Sequence, residues 1–278
     1  MLNTLTGAQA AAAIYAQVRA RAALLDAPPC LAAVSVGTQP DDRAYLHSIA
    51  LSAEHCGVAG RPFPPPADCA PETLTDTLRA LSADGAVHGV LLLRPLPAAL
   101  RAQEILDTLD ARKDVDGMTT RSLGALVTGA AGFSPCTAEA CMELLRAHGI
   151  DPAGRRVTVV GRSLVIGRPA ALLLTRAAAT VTLCHRKPSD LAARCRDADI
   201  LLAAVGAPGL ITRDFVRPGQ IVLDAGATAL PDGTLRGDVA PDAAAIAVCT
   251  PVPGGIGSVT TALLLRHTVQ AAENLRHF

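Results

Sequence analysis

The sequence predicts a two-lobed α/β protein built on parallel sheets. Strand-like and helix-like segments alternate along its 278 residues, and this alternation is typical of βα units. Half of the residues are apolar and only 18% are charged, so the chain has ample material for a buried core. The alternation restarts after Pro135, which indicates two lobes, and a final helix follows the second lobe.

The first lobe begins with an alanine-rich helix at residues 8–25 and a strand at 31–36. A second helix is expected at 41–56, because aspartates stand at its start and Gly57 at its end. The remaining elements of this lobe are an extended proline-rich connection, a helix, a buried strand and a last helix, at residues 61–67, 72–83, 87–93 and 99–110.

The second lobe has the element order of a Rossmann-like, doubly wound nucleotide-binding half. Helices are expected at residues 138–148, 168–178 and 189–196, and strands at 156–160, 180–184, 199–205 and 220–224. The final helix, at 258–275, follows a glycine-rich turn.

The composition argues against several other classes of protein. The 25 basic and 25 acidic residues cancel, which is not the balance of a protein that coats nucleic acid. The chain has no apolar run of about 18 residues and no basic segment before an apolar one at its N-terminus, so we expect a cytoplasmic protein without a membrane partner. The eight cysteines are scattered without C-x-x-C spacing, which favours small core residues over disulfides or metal ligands.

The segment 157–169 (VTVVGRSLVIGRP) is the first candidate for cofactor binding. A buried strand leads into Gly161, and Gly167 stands at the start of a helix. Glycine allows the backbone to approach a pyrophosphate, and a helix start offers N–H donors. The spacing is not that of the usual dinucleotide fingerprint, so an ordinary turn between strand and helix remains an alternative.

The residues after the second strand of this lobe bear on the choice between NADP and NAD. In dinucleotide-binding folds an acid at this position binds the ribose 2′-hydroxyl, whereas basic residues accept a 2′-phosphate. Here His185 and Arg186 stand at the strand end without an acid, and Arg162 of the preceding turn could join them. The sequence favours NADP, with NAD possible and a solvated basic loop as the alternative.

Two further segments combine unusual residues. The loop 250–260 (TPVPGGIGSVT) is stiff and glycine-rich, and such a loop either lines a cofactor or substrate or is a plain turn. The segment 113–117 (KDVDG) offers carboxylates that could accept paired N–H groups of a polar heterocycle, although it also fits an exposed turn. The remaining ligands of a calcium loop are missing, so we expect no metal site.

In their order along the chain, these motifs resemble the methylenetetrahydrofolate dehydrogenase/cyclohydrolase family over nearly the whole sequence. The matching stretches are VGTQPDDRAY (36–45), GVLLLRPLP (89–97), KDVDG (113–117), SPCT (134–137), VVGRSLVIGRP (159–169), AAVGAPG (203–209), LDAG (223–226), GDV (237–239) and TPVPGGIGSVT (250–260).

The resemblance implies two domains with different functions. It implies a folate-type catalytic domain at residues 1–144 plus 254–278 and a Rossmann-like NAD(P)-binding domain at 145–253, with the C-terminal helix returning to the first lobe. It also implies a cytoplasmic homodimer that uses NADP and a tetrahydrofolate derivative.

The motifs and the resemblance together assign the site residues. The catalytic residues would be Tyr45 and Asp116. The substrate contacts would be Tyr45, Leu93, Pro95, Asp116, Pro253, Gly254 and Gly255. The cofactor contacts would be Gly161, Arg162, Ser163, Gly167, His185, Arg186, Val205, Gly206, Thr250 and Gly257.

Two of the family's catalytic positions are changed in this chain. The helix position that the family fills with lysine is Ile49, and the strand position that it fills with glutamine is Leu93. In the family the lysine assists the chemistry of the bridging carbon and helps steer water, and the glutamine supports the lysine. Neither aliphatic side chain can donate a proton, so the sequence predicts a dehydrogenase whose cyclohydrolase activity is weak or lost.

No other cation is expected to replace the lysine. Lys113 and Lys187 belong to other motifs. Arg94 follows Leu93 directly, and neighbouring strand residues point to opposite faces. His47 lies two residues before Ile49, on roughly the opposite face of the helix.

Two alternative functions stay open. The chain could act with NADPH on another imine-like substrate, which the lost lysine and glutamine, Arg94, and Ser258-Val259 in place of the family's Pro-Met would favour. It could also be a catalytically silent subunit that binds folate or NADP.

Overall fold

The computed structural model describes residues 4–37, 40–187 and 189–276. The chain folds into two compact units. The three-stranded unit comprises Ala13–Cys136 and the segment from Thr261 onward, and the five-stranded unit comprises the segment up to Ala12 and Thr137–Thr260.

The three-stranded unit has a parallel sheet with the strand order β2-β1-β3. The central strand β1 and the strand β3 are wholly buried because their sequences, CLAAV and GVLL, are apolar. Beside β3, the KDVDG segment extends the sheet, since the Val90 amide donates to the Lys113 carbonyl (2.7 Å) and Val90 forms a parallel bridge with Asp114. The elements of this unit in chain order are α1 (Ala8–Ala22, which begins in the other unit), β1 (Cys30–Val34), α2 (Pro40–His55), β2 (Ala59–Phe63), α3 (Pro71–Ala83), β3 (Gly89–Leu92), α4 (Gln103–Leu106) and α5 (Thr120–Thr128).

The five-stranded unit has an all-parallel sheet with the strand order β10-β7-β6-β4-β5. The chain moves from β4 to β5 on one side and then to β6 on the other, so the sheet has the switch point at which doubly wound folds bind ligands. The elements in chain order are α6 (Cys136–Ala147), β4 (Arg156–Val160), α7 (Gly167–Arg176), β5 (Thr180–Cys184), α8 (Leu191–Asp197), β6 (Ile200–Ala203), β7 (Ile221–Asp224), the short hairpin β8 (Thr228–Ala229) and β9 (Leu235–Arg236), α9 (Pro241–Ala244), β10 (Val248–Cys249) and α10 (Ile256–Leu275).

Most of the predicted elements are present, and two strands, β4 and β5, have the predicted bounds. The continuous helix predicted at 99–110 is wrong, since this segment contains a 3₁₀ turn at Ala98–Leu100 and only the short α4. The extended connection predicted at 61–67 begins inside β2, and α5 was not predicted. The expected alternation of strand and helix in two α/β lobes is confirmed.

The units divide the chain at Ala12, Cys136 and Thr260. The functional domain boundaries at 144/145 and 253/254 stay a prediction. Within the described residues, no helix is both long and apolar enough to span a membrane.

Candidate active site

The first two residues of KDVDG have structural partners. The Lys113 ammonium is buried and donates to the carbonyls of Leu81 (3.2 Å) and Asp84 (2.8 Å), at the C-terminal end of α3. The Asp114 carboxylate, also buried, accepts from the amides of Met118 (3.0 Å) and Thr119 (2.7 Å). The expectation of an exposed turn is therefore wrong for both residues: one caps a helix and the other organises the turn that leads into α5.

The last three residues of the segment fix the direction of Asp116. Val115 is fully buried, and Gly117 has a φ of 66° in a space where a Cβ would collide with the backbone of Phe133 and Ser134. A side chain at position 117 would therefore not fit, and of the two carboxylates in KDVDG Asp116 is the one that stays a candidate for chemistry.

The surroundings of the Asp116 carboxyl raise its pKa above the ordinary value of an aspartate. Burial, and secondarily the negative charge of Asp114, raises the pKa of Asp116 to about 6. Three groups act in the opposite direction: the Arg94 charge, a hydrogen bond from Cys136 and the nearby His267. Asp116 is therefore largely ionised at neutral pH and protonated below pH 6.

Cys136 and His267 form a buried cluster against the same segment. The Nδ1 atom of His267 lies 2.8 Å from the Val115 carbonyl oxygen, and the Cys136 Sγ atom lies 3.2 Å from that oxygen and 3.5 Å from Nδ1. The Phe133 ring packs against the imidazole with its centroid 5.0 Å away. Sequence reasoning missed both residues, since Cys136 was interpreted as a core residue and His267 was not considered.

Tyr45 lies on α2 beside this cluster. It is 39% exposed, but its hydroxyl group lies where desolvation raises the pKa, and the negative charge of Asp116 raises it further. A hydrogen bond with the Thr261 side chain partly offsets this effect. The Tyr45 hydroxyl therefore stays protonated at neutral pH and can donate a hydrogen bond.

The two changed family positions are both in the core. Ile49 lies one helical turn beyond Tyr45 on α2 and is 3% exposed, and Leu93 is 7% exposed. His47 is exposed on α2, as expected for a residue on roughly the opposite face from Ile49. No charged group occupies either changed position.

Arg94 affects the ionisation of Asp116. It is exposed while Leu93 is buried, as strand alternation predicts, yet its charge still lowers the pKa of Asp116. Alternation fixes the direction of Cβ, whereas the charge of a long side chain stands far from its backbone. Arg94 therefore contributes to the electrostatics of the Asp116 cluster, an effect that the sequence argument, which asked only whether Arg94 replaces the lysine, did not consider. Pro95, the next residue, is exposed.

In the five-stranded unit, the turn between β4 and α7 is shaped by two glycines. A Cβ at Gly161, where φ is 125°, would overlap the Ala204 carbonyl oxygen, and a Cβ at Gly167 would overlap the Gly161 carbonyl oxygen. The close approach that these glycines permit is therefore between protein backbones. Their expected contact with a pyrophosphate stays a prediction.

Several polar residues lie directly after β4 and β5, where these strands end. Arg162 and Ser163 are exposed in the turn, and the Ser163 hydroxyl accepts from the amides of Ile166 (3.1 Å) and Gly167 (3.5 Å) at the start of α7. After β5, the Nδ1 atom of His185 accepts from the Lys187 amide (3.1 Å), so a neutral His185 carries its proton on Nε2. Arg186 is exposed.

A pair of buried aspartates holds the loops around β6 and β7, and sequence reasoning did not find it. The Asp238 carboxylate accepts from the amides of Val205 (2.6 Å), Gly206 (3.1 Å) and Ala207 (2.7 Å). Asp224 in turn accepts from the Asp238 amide (3.0 Å), and burial raises its pKa. The GDV and LDAG motifs thus fix the loop that contains two of the predicted cofactor contacts.

The loop at 250–260 is tied to the start of the chain. The Gly7 amide donates to the Gly254 carbonyl (2.9 Å), and a Cβ at Gly255 would collide with the Pro251 carbonyl oxygen. Thr250 is buried, and its hydroxyl oxygen accepts from the Asp224 amide (2.7 Å).

The remaining residues of this loop differ in exposure. Pro253 and Gly257 are exposed. Ser258 donates to the Gly255 carbonyl (2.7 Å), and Val259 is fully buried, so these two departures from the family have structural roles inside the turn.

The predicted site residues are divided between the two units. Those in the three-stranded unit are Tyr45, Ile49, Leu93, Pro95 and Asp116; those in the five-stranded unit are Pro253, Gly254, Gly255 and all ten predicted cofactor contacts. In the first group, Tyr45 and Asp116 are close enough to influence each other electrostatically.

Comparison with known proteins identifies the family. Residues 5–116 match the catalytic domain of tetrahydrofolate dehydrogenase/cyclohydrolase, and residues 135–276 match its NAD(P)-binding domain. The chain belongs to the tetrahydrofolate dehydrogenase/cyclohydrolase family. It therefore belongs to an oxidoreductase family with a catalytic domain and a Rossmann-like NAD(P)-binding domain, and the predicted fold class and family are confirmed.

Relatives of this chain match along its whole length. The bifunctional protein FolD of Nocardia farcinica is 44% identical over 280 residues, which cover 98% of both chains. The structure of the bifunctional FolD enzyme from Campylobacter jejuni is 35% identical, with a TM-score of 0.93 over 99% of each chain. The Trypanosoma brucei FolD, solved with NADP cofactor and inhibitor, is 32% identical, with a TM-score of 0.91 over 98% of this chain and 97% of that one.

Proposed function

We propose that this protein oxidises 5,10-methylenetetrahydrofolate to 5,10-methenyltetrahydrofolate with NADP⁺, and that its cyclohydrolase activity is weak or lost. The reaction removes a hydride from the bridging carbon and leaves a cation shared by the two flanking nitrogens. Bound NADP⁺ supplies the hydride acceptor. The groups of this chain orient the substrate and stabilise its charge.

The observation that carries the proposal is the absence of an available amine in the substrate lobe. The chain has only two lysines, Lys113 and Lys187. The Lys113 ammonium is bound to two carbonyls at the end of α3, and Lys187 is exposed directly after the predicted cofactor contacts His185 and Arg186. With Ile49 in the core at the family's lysine position, neither lysine replaces the missing amine.

This loss affects the two reactions of the family unequally. Hydride transfer needs mainly proximity and orientation, whereas hydrolysis needs a group that takes a proton from water as the water attacks. The Tyr45 hydroxyl, with its raised pKa, is protonated at neutral pH and cannot take that proton. An ionised Asp116 would be occupied by the N–H donors of a pterin ring, so it would bind the substrate and would not activate water.

NADP is the cofactor that the five-stranded unit fits better. Arg162 and Arg186 are exposed at the carboxyl edge of the sheet, and within the described ranges neither forms an ion pair with an acid. No acid follows β5 directly, so a ribose 2′-phosphate would meet two available cations. The predicted contacts at Gly161, Ser163, Gly167, His185, Val205, Gly206, Thr250 and Gly257 belong to the same proposal.

We assign the remaining functional features from the family and from the strand arrangement. The substrate domain would comprise residues 1–144 and 254–278, with contacts at Tyr45, Leu93, Pro95, Asp116 and the 253–255 loop. The protein would be a cytoplasmic homodimer. An exposed edge strand, β5, supports self-association, since such edges are usually covered.

The test is an assay with purified protein, 5,10-methylenetetrahydrofolate and NADP⁺ or NAD⁺ that follows reduced cofactor and methenyl product separately. Faster reduction of NADP⁺ and persistence of the methenyl product would support the proposal. No reduced cofactor from a protein that binds NADPH would instead favour another imine-like substrate or a silent subunit.

The Asp116→Ala variant should lose folate binding, and unchanged affinity would refute the assignment of Asp116.

A further inference from the structure

His267 is a buried polar residue within the apolar sequence LLLRHTV of α10. Its Nδ1 atom lies 2.8 Å from the Val115 carbonyl oxygen. A carbonyl oxygen can only accept a hydrogen bond, so Nδ1 must carry a proton and donate it. His267 therefore binds the residue directly before Asp116 and restrains the backbone from which that carboxylate extends.

Cys136 has one thiol proton, and its acceptors among the described residues include two groups of the KDVDG segment. Its sulfur lies 3.2 Å from the Val115 carbonyl oxygen, and the thiol is near enough to Asp116 to lower the pKa of that carboxyl by hydrogen bonding. The carbonyl oxygen has two lone pairs and can accept from both groups, and its bond with His267 keeps it satisfied when the thiol proton turns to the carboxylate. The bond to an ionised carboxylate is the stronger of the two choices.

We propose that His267 is a positioning residue, which holds the Val115 carbonyl and, together with Cys136, keeps Asp116 oriented for the N–H donors of the substrate. The proposal rests on the proposed function for the identity of that substrate. It gives α10 an indirect role in folate recognition, since His267 acts through Asp116 and need not touch the substrate.

The groups around Asp116 have opposing effects on its pKa. Among the described residues, the titratable and charged groups that interact electrostatically with Asp116 are Tyr45 on α2, Arg94 after β3, Asp114 on its own segment, Cys136 on α6 and His267 on α10. Cys136, His267 and Arg94 favour the carboxylate, and burial and Asp114 oppose it. Removing His267 or Cys136 should therefore raise the pKa of Asp116 above its value of about 6.

The first readout is the pH dependence of kcat/KM for 5,10-methylenetetrahydrofolate. In the His267→Leu and Cys136→Ala variants, the apparent pKa should rise by about one unit, which lowers kcat/KM about fivefold near pH 6 and leaves it unchanged near pH 8.5. The double variant should show no larger shift than the single ones, because the two residues act through one chain of contacts. A merely structural role would lower kcat/KM equally at every pH.

The second readout needs no substrate. The Asp116 carboxyl can be titrated by ¹³C NMR in the free protein, with Asp116→Asn used to assign its signal. Cys141→Ala is the matched control, since Cys141 is also a buried thiol of α6 but donates to the Thr137 carbonyl (3.3 Å).

An Asp116 titration that is the same in wild type, His267→Leu and Cys136→Ala would overturn the inference. A wild type without folate activity but with a shifted titration in both variants would refute only the proposed function. The two failures are therefore distinguishable.

Discussion

Two aspartates of one short motif have different roles because their hydrogen-bond partners differ. Asp114 is satisfied by the amides of Met118 and Thr119 and by the Ser122 hydroxyl (2.7 Å). Asp116 faces the cluster of Cys136 and His267 instead. The sequence alone identified the motif and chose Asp116 by resemblance, but it carries no information on which amides each carboxylate meets.

The residues that sequence reasoning missed are partners brought together from distant parts of the chain. Cys136 and His267 are 131 positions apart, and a cysteine pattern without metal-ligand spacing gives no reason to single out one thiol. A signal existed for His267, because a histidine within an apolar helical run needs a buried partner. Its partner, the Val115 carbonyl, could not be found from the sequence.

The Arg94→Leu variant tests whether a charge beside Asp116 sets its ionisation. Loss of the positive charge removes an attraction for the carboxylate, so the pKa of Asp116 should rise from about 6. The ionised form is the one that accepts N–H donors, so the acid limb of the kcat/KM profile should move to higher pH. The control is Arg79→Leu, which removes an exposed arginine of α3 that pairs with Asp76. An acid limb at the same pH in wild type and Arg94→Leu would contradict the account.

Lys113→Met tests whether the lysine of KDVDG is structural. The variant keeps the apolar stem but removes the Lys113 donor from the Leu81 carbonyl and from the Asp84 carbonyl, which keeps only the Val87 amide, and this should lower the free energy of unfolding by about 1–3 kcal/mol. The midpoint of urea unfolding measures this loss. Lys187→Met, at the exposed second lysine, should leave the midpoint unchanged. A collapse of kcat with no change in stability would show that Lys113 takes part in the chemistry.

At the scale of elements, predictions succeeded where a single local pattern determines the structure. The strands β4 and β5 were predicted to the residue because RVTVV and TVTLC are β-branched runs bounded by turn residues. The helix α5 was missed because threonine, valine and Gly124 lower its intrinsic helix propensity. Its caps were visible: Thr119 accepts from the Ser122 amide, and Gly129 ends the helix with a φ of 78°.

The turn between β4 and α7 is determined by packing between backbones, and Gly161→Ala tests this directly. Both the φ of 125° and the overlap with the Ala204 carbonyl disfavour a Cβ, so the variant should lose about 3 kcal/mol or more of stability. Gly154→Ala is the matched control: its φ is 70°, but no atom lies within 4 Å of the added Cβ. It should lose only about 1 kcal/mol. Equal losses in the two variants, measured by urea unfolding, would contradict the steric explanation.

At the scale of the whole molecule, the five-stranded sheet ends in an exposed strand. β5 pairs only with β4 among the described residues, and its Leu183 is 43% exposed. An edge of this kind is self-complementary under a two-fold axis, because two copies can pair in antiparallel fashion.

The dimer prediction follows from this edge. Wild type should have twice the mass of the 28.4 kDa chain in light scattering, and Leu183→Lys should shift it toward the monomer. Leu235→Lys, at an apolar residue of β9 that is 47% exposed, is the control and should remain dimeric. A monomeric wild type, or a Leu183→Lys variant that dimerises as tightly as wild type, would contradict the assignment of this edge.

Two buried aliphatic side chains, Ile49 and Leu93, stand at positions that the resemblance assigns to hydrolysis. Under the proposed function, the substrate lobe would orient a folate but would have no amine to assist attack by water. The family assignment alone would predict both activities, so the distinction must come from the hydrolytic step itself.

The most direct measurement supplies 5,10-methenyltetrahydrofolate to the protein without any nicotinamide cofactor and follows ring opening against the rate in buffer. We expect wild type to give no acceleration, and Ile49→Lys with Leu93→Gln to accelerate the reaction if the rest of the lobe is intact. Rapid ring opening by wild type would contradict the central claim, because it would require another group in this chain to do the work of the lysine.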